Sequence, residues 1–152
     1  MARSHRLLRG AAVIGASLLV ASCSAMTPIQ TAELYNAGDG VRVDVSDDVR
    51  VENLMVLTDG EGGEGLVFGA LVNDSAQEVL MSVTIGDGGI QLPVLPDGSV
   101  LLGSEELVVI PQVPAAPGGM VESVVEVTGY GAFEVLVPVL DGTLPQYEEY
   151  LD

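Results

Sequence analysis

Lysine and tryptophan are absent from this 152-residue chain, and histidine and cysteine occur once each. The histidine is His5 and the cysteine is Cys23, both close to the start. Beyond Cys23 there is no imidazole, no further thiol and no ε-amine. Ser-His-Asp and Cys-His nucleophiles, Ser-Lys variants, Schiff-base chemistry and His-ligated zinc or copper therefore lack their reacting groups. One cysteine makes no intrachain disulfide, so the fold rests on packing. Positive charge is nearly as scarce. Of five arginines, Arg3, Arg6 and Arg9 precede Cys23, which leaves Arg42 and Arg50 to face 22 Asp and Glu. Such a surface repels nucleic acid, whose binding depends on Lys and Arg neutralising phosphates. It also repels anionic lipid headgroups. What survives is carboxylate-only chemistry: an Asp/Glu pair or an oxygen-ligated hard cation.

The most specific stretch is Leu19-Val20-Ala21-Ser22-Cys23. Before it, Arg3, His5, Arg6 and Arg9 make a positive region, and Gly10 to Val20 is apolar over about a dozen residues, a secretory h-region length. That run is too short to cross a hydrocarbon core, which needs roughly 20 apolar residues. A plain secretory signal would need no cysteine after the small residues. Val20, Ala21, Ser22 and Cys23 resemble the bacterial lipoprotein signal, [LVI]-[AST]-[GAS]-C. The resemblance implies cleavage between Ser22 and Cys23 and a diacylglyceryl group on the Cys23 thiol. Each buried methylene contributes about 0.8 kcal/mol, and two acyl chains hold where one holds only marginally. The expected partner is thus the membrane, met at its extracytoplasmic face through the anchor. Residues 1–22 read as signal peptide and 23–40 as a lipidated tether. Tyr35 is the expected first contact with the domain that follows.

From Val41 the pattern is β. Val41, Val43 and Val45 alternate with Arg42 and Asp44, and Val49-Arg50-Val51-Glu52 repeats the alternation before Leu54-Met55-Val56-Leu57. Asp59 to Gly65 reads as a flexible connection and Gly65 to Val72 as a central strand. Asn73-Asp74-Ser75 is a turn, Val79 to Ile85 a strand, and Gly86-Asp87-Gly88-Gly89 a tight reversal that needs positive φ. Pro93 places Ile90 to Leu95 at an edge. Pro96 to Ser99 reads as a turn, Val100 to Leu102 and Leu107 to Ile110 as short strands, and Pro111 to Gly119 as a loop. In Met120 to Thr128, Val121, Ser123, Val125 and Val127 share one face. Phe133 to Leu140 closes the set. The fold class is all-β: an antiparallel β-sandwich of seven to nine strands over residues 41–140, cupredoxin- or immunoglobulin-like. Residues 141–152 form an acidic tail, either loose or laying Tyr147 and Tyr150 on the domain.

Val94 to Gly103, Leu107 to Val109, Pro117 to Gly119 and Val135 to Leu140 follow the order of the PCuAC-type periplasmic copper-chaperone domain. The Leu66-to-Val72 strand with Asn73 resembles that family's Tyr-x-x-(Leu/Val)-x-Asn strand and turn. The resemblance runs over roughly Val49 to Leu140 and is strongest to an acidic actinobacterial lipoprotein branch of Lpq type. It implies a cupredoxin-like sandwich. The branch further implies docking on an envelope protein or membrane complex, such as a respiratory assembly. The copper family places a His-x-Met just after the glycine turn; here that place reads Ser104-Glu105-Glu106-Leu107-Val108-Val109. No ligand transfers, so no metal site and no cofactor are assigned.

Met55, Met81 and Met120 read as core filler. Asp59, Glu61 and Glu64 on a glycine loop read as solvated charge rather than a Ca²⁺ site. Asp47-Asp48 and Glu105-Glu106 are the pairs that would have to meet for acid–base work. No catalytic residue is assigned. The expected role is a non-enzymatic binding or accessory module of the cell envelope; the alternative is a copper-handling protein related in fold to the chaperones.

Overall fold

Period-two alternation of valine with polar residues builds nine strands. They are β1 (Val41–Asp44), β2 (Val49–Thr58), β3 (Gly65–Asn73), β4 (Val79–Ile85), β5 (Gly88–Val94), β6 (Gly98–Leu102), β7 (Val108–Ile110), β8 (Met120–Val127) and β9 (Gly131–Leu140). One short helix follows, α1 (Pro145–Glu148). The protein is seen here as a computed structural model that describes residues 38–151. The signal, Ser22, Cys23 and Tyr35 lie outside the described residues.

The strands join in the order β5-β4-β8-β9-β2-β3-β6, with β1 added to β2 and β7 added to β3. All pairings are antiparallel except one. β2 and β9 run parallel, with Val56 opposite Val139 and Leu57 opposite Leu140. The sheet is therefore mixed rather than purely antiparallel. It nearly closes on itself, because β5 returns over β7. There a Cβ on Gly88 would stand 2.7 Å from Ile110 Cδ1 and 3.1 Å from Ile110 Cα, an approach that only glycine permits.

The core is aliphatic. Val49, Val51, Leu54, Val56, Leu71, Met81, Ile85, Val94, Ile110, Val125, Val137 and Val139 are fully enclosed. β8 behaves as its alternation requires: Val121, Ser123, Val125 and Val127 are buried and the residues between them exposed. Pro93 lies on β5, which is an end strand of the sheet order.

β2 changes face midway. Val49 and Val51 point into the main core, and so do Leu54 and Val56, an odd pair followed by an even pair. The switch is a bulge at Asn53, whose φ is +52° and beside which the β2–β3 register shifts. One extra residue reverses the in–out sense of everything after it. Met55 and Leu57 consequently emerge on the outer side, where they would be open to water. The carboxyl-terminal segment covers them: Tyr147, Tyr150 and Leu151 pack there with Phe68 and Leu140. The Tyr147 hydroxyl donates to Asp39 Oδ2 at 2.7 Å, and the Gly40 N–H donates to Asn53 Oδ1 at 2.8 Å. Of the two readings of the tail, the one with its tyrosines laid on the domain is what the fold contains.

Asn73 ties the turn after β3 to the end of β5. It is wholly buried. Its Nδ2 donates to the carbonyls of Gln77 (2.8 Å), Val94 (3.0 Å) and Leu95 (3.1 Å). Its Oδ1 accepts from the Ser75 N–H and hydroxyl. The other buried polar side chains are equally engaged. Thr58 donates to the Glu64 carbonyl at 2.8 Å, and Ser123 to the Thr84 carbonyl at 3.0 Å.

Candidate functional site

The two described cations come from β1 and β2 and are both spent locally. Arg42 meets Asp44 at 2.7 Å and Glu52 at 3.5 Å; Arg50 meets Glu52 at 2.6 Å and also Asp74. Hydrogen bonds to Asp74 and then Glu52 raise the Arg50 pKa above its ordinary value. No positive side chain occurs between Arg50 and Leu151, so every other face carries acids alone.

The carboxylates singled out in the sequence do not assemble into a site. Asp48 lies in the β1–β2 turn, where its carbonyl accepts the Asp74 N–H next to the Asn73 end of β3. Glu105 and Glu106 lie beyond the other end of β6, since Asn73 pairs with Gly98 and Gly69 with Leu102. β6 alone separates the two turns by about 13 Å at the usual strand rise, so the acid pairs do not meet. Glu105 is also occupied: its Oε2 accepts the Leu101 N–H at 3.0 Å. The Gly103–Glu106 turn, where the copper family would carry its His-x-Met, closes on itself, with the Gly103 N–H donating to the Glu106 carbonyl at 2.8 Å.

The acidic glycine loop is firmer than its composition suggests. Thr58 Oγ1 gives its one proton to the Glu64 carbonyl at 2.8 Å and accepts from the Gly60 N–H at 3.3 Å. The Gly62 N–H donates to the Val113 carbonyl, and the Val113 N–H donates to the Gly63 carbonyl, at 2.8 and 2.9 Å. Asp59, Glu61 and Glu64 thus sit on a pinned turn, not a flexible connection. Among the described residues no three His, Cys, Asp or Glu come together as a metal-binding group. Gly86 has φ +55° and Asp87 does not share it, the pattern of a two-residue II′ hairpin. The only described helix is four residues long. The methionines are scattered. Met81 is in the main core, Met55 under the carboxyl-terminal segment, and Met120 is 51% exposed. Met120 is therefore not core filler; it begins β8 on the outer face.

That outer face carries a groove that sequence reasoning missed. A wide, half-open groove of about 800 Å³ is lined by Thr84, Met120, Glu122, Val124, Glu134 and Leu136 among others. The register alternates apolar and acidic partners: Glu122 opposite Leu136, Val124 opposite Glu134. Thr84 of β4 pairs with Val124 on the other side. Leu136 is 53% and Val124 37% exposed. The available signal was the exposed register of β8 and β9, where Met120, Val124 and Leu136 fall on the polar side of the alternation.

A second apolar area, with Leu101, Leu107 and Val109 exposed, lies on and beside β6 and β7. Next to it Phe68 stacks edge-on against Tyr150, ring centroids 4.8 Å apart.

No family model matches the sequence, and no curated protein matches it. Solved structures do. The apo PCuAC domain from PmoF1 superposes with a TM-score of 0.53 at 13% identity, over 65% of this chain and 98% of that one. The apo PCuAC domain of PmoF2 gives 0.51 at 12% identity, over 68% and 98%. At such identity the likeness speaks for the fold alone: the described residues carry a cupredoxin-like β-sandwich that resembles the PCuAC domain, which it matches over nearly the whole of that domain and about two thirds of this chain.

Proposed function

We propose that this chain is a lipid-anchored, extracytoplasmic binding module that acts on another envelope protein through its surface and carries out no chemical step of its own. The observation that carries this reading is a PCuAC-type sandwich without the means for PCuAC-type chemistry. It has no histidine after His5, its methionines are dispersed, and its carboxylates are apart or engaged in turns. The Val20-Ala21-Ser22-Cys23 signal supplies the anchor. A fold kept while its ligand chemistry is gone retains shape and charge as its means of action.

The experiment compares native and Cys23→Ala protein in mildly solubilised membranes at low salt. The native protein is expected in a membrane assembly larger than itself, and Cys23→Ala outside it. Migration of the native protein alone would contradict the reading. The PCuAC likeness favours a second reading, copper handling. Titration of the full chain with Cu(I) and Cu(II) separates the two. The surface reading expects no binding tighter than roughly millimolar, about −4 kcal/mol; tight copper binding would select the second.

A further inference from the structure

The groove on β4, β8 and β9 has the chemistry of a docking site for one kind of partner. Its apolar side chains are uncovered: Met120, Val124 and Leu136 are all exposed, and Leu136, opposite Glu122, is the diagonal neighbour of both Met120 and Val124. Exposed apolar clusters of this sort mark interaction surfaces more than chance exposure does. Its charges have one sign. Glu122 and Glu134 line it, and Glu126 lies on the same outward face of β8. The described cations, Arg42 and Arg50, are held by Asp44, Glu52 and Asp74 on other elements. No described cation neutralises the groove.

Charge excludes several occupants. Anionic headgroups and nucleic acid meet repulsion. A second copy of this chain would bring acids against acids, with both of its described arginines already engaged. A positively charged segment with apolar side chains fits both features. Spacing narrows the choice further. Glu122 stands opposite Leu136, so Glu134 is its diagonal neighbour, and such neighbours are about 7–8 Å apart. An extended chain presents same-face side chains at about 6.6–6.8 Å, twice its rise per residue.

We propose, resting on the reading that this chain serves another envelope protein, that the β8–β9 groove docks an extended segment of that protein whose groove-facing side, made by every second residue, carries two successive Lys or Arg flanked by aliphatic side chains. The apolar side chains seat against Met120, Val124 and Leu136, and the cations meet Glu122 and Glu134. Association is salt-dependent, because these charges are exposed and steer the encounter.

The test places a photo-crosslinking residue at Leu136 in the full-length protein in its native cells, and separately at Leu101 on β6 for comparison. Irradiation is expected to give an adduct from position 136. Its crosslinked peptide, read by mass spectrometry, carries two Lys or Arg two residues apart, with aliphatics at the next positions of the same two-residue period. Glu122→Lys combined with Glu134→Lys, both surface changes, is expected to cut the adduct roughly ten-fold, as loss and reversal of two screened pairs implies. Urea unfolding verifies that this variant remains folded. The proposal is overturned by the absence of an adduct at 136, or by an adduct equally strong at 101. It is also overturned by an adduct to lipid, to an acidic peptide or to another copy, or by one that survives charge reversal. Fractionating the same cells separates this from the anchoring reading. Protein on membranes without the adduct overturns the groove alone; the adduct on protein released from membranes supports the groove and overturns the anchor alone.

Discussion

Replacing Asn73 with alanine is expected to be among the most damaging single changes in the domain. The side chain is fully buried and donates to three carbonyls on two separate segments. The bond to Val94 is in the interior, so its loss orphans a buried acceptor at about 1–3 kcal/mol, and the two partly buried bonds add about 0.5–1.5 kcal/mol each. The sum is about 2–6 kcal/mol, a large part of the 5–15 kcal/mol that holds a typical domain. Urea unfolding of the full chain is the assay, with an m-value unchanged from the parent. Ser75→Ala, which removes a hydroxyl shared between Asn73 Oδ1 and the Gln77 backbone on the exposed side of the turn, is expected to cost about 1 kcal/mol. Asn73→Asp adds a pH signature. Its carboxylate would face carbonyl oxygens, so its folded pKa would rise above the unfolded value of about 3.9. The charged form is then penalised above that value, and stability is recovered as pH falls through the folded pKa. A loss below about 1 kcal/mol for Asn73→Ala, or an Asp variant indifferent to pH, would refute the role assigned to this side chain.

Gly103→Ala is expected to cost about 1–3 kcal/mol by thermal melting, because φ is +89° and the new Cβ would stand 2.4 Å from Phe68 Cδ1. Gly118→Ala, with φ +86° but open space around it, is expected to cost about 1 kcal/mol, so the difference isolates the clash. Burial, and then the bond to Asp39, raise the Tyr147 pKa above its ordinary 10.0. Its contribution is therefore complete below pH 10 and disappears as pH rises through the folded pKa; Tyr147→Phe is expected to flatten the alkaline limb of a stability–pH curve. Arg50→Ala is expected to cost about 0.5–1 kcal/mol at low salt and less at 1 M, since Glu52 and Asp74 are 38% and 53% exposed.

Much of the fold could be read along the chain because alternation is a local property. The inward set of β8, the edge position of Pro93 and the reversal at Gly86-Asp87 depend on side chains within a few residues of one another. Asn73 was visible as a turn residue and through its family resemblance, and the structure adds the reason for it. What the pattern did not carry was pairing at a distance. The parallel contact of β2 with β9 joins Val56 to Val139, and no local period specifies direction or partner. The bulge at Asn53, between the alternating Val49 to Glu52 and the apolar Leu54 to Leu57, has no local signature, yet it decides which face Met55 and Leu57 occupy and so why the carboxyl-terminal tyrosines have a place to bind. The groove was hidden for the same reason. Met120, Val124 and Leu136 are ordinary single apolar residues in strands, and only the β8–β9 register sets Leu136 diagonally between the other two and opposite Glu122. The acidic glycine loop was misread as flexible because its restraints, Thr58 and Val113, are outside it.

A surface module held at a bilayer depends above all on what becomes of Cys23. Intact-mass measurement of the protein extracted from its native membranes addresses this directly. The expected result is a chain beginning at Cys23, without residues 1–22, and heavier by a diacylglyceryl group. A free thiol at position 23, or a mass that retains the leader, would contradict it.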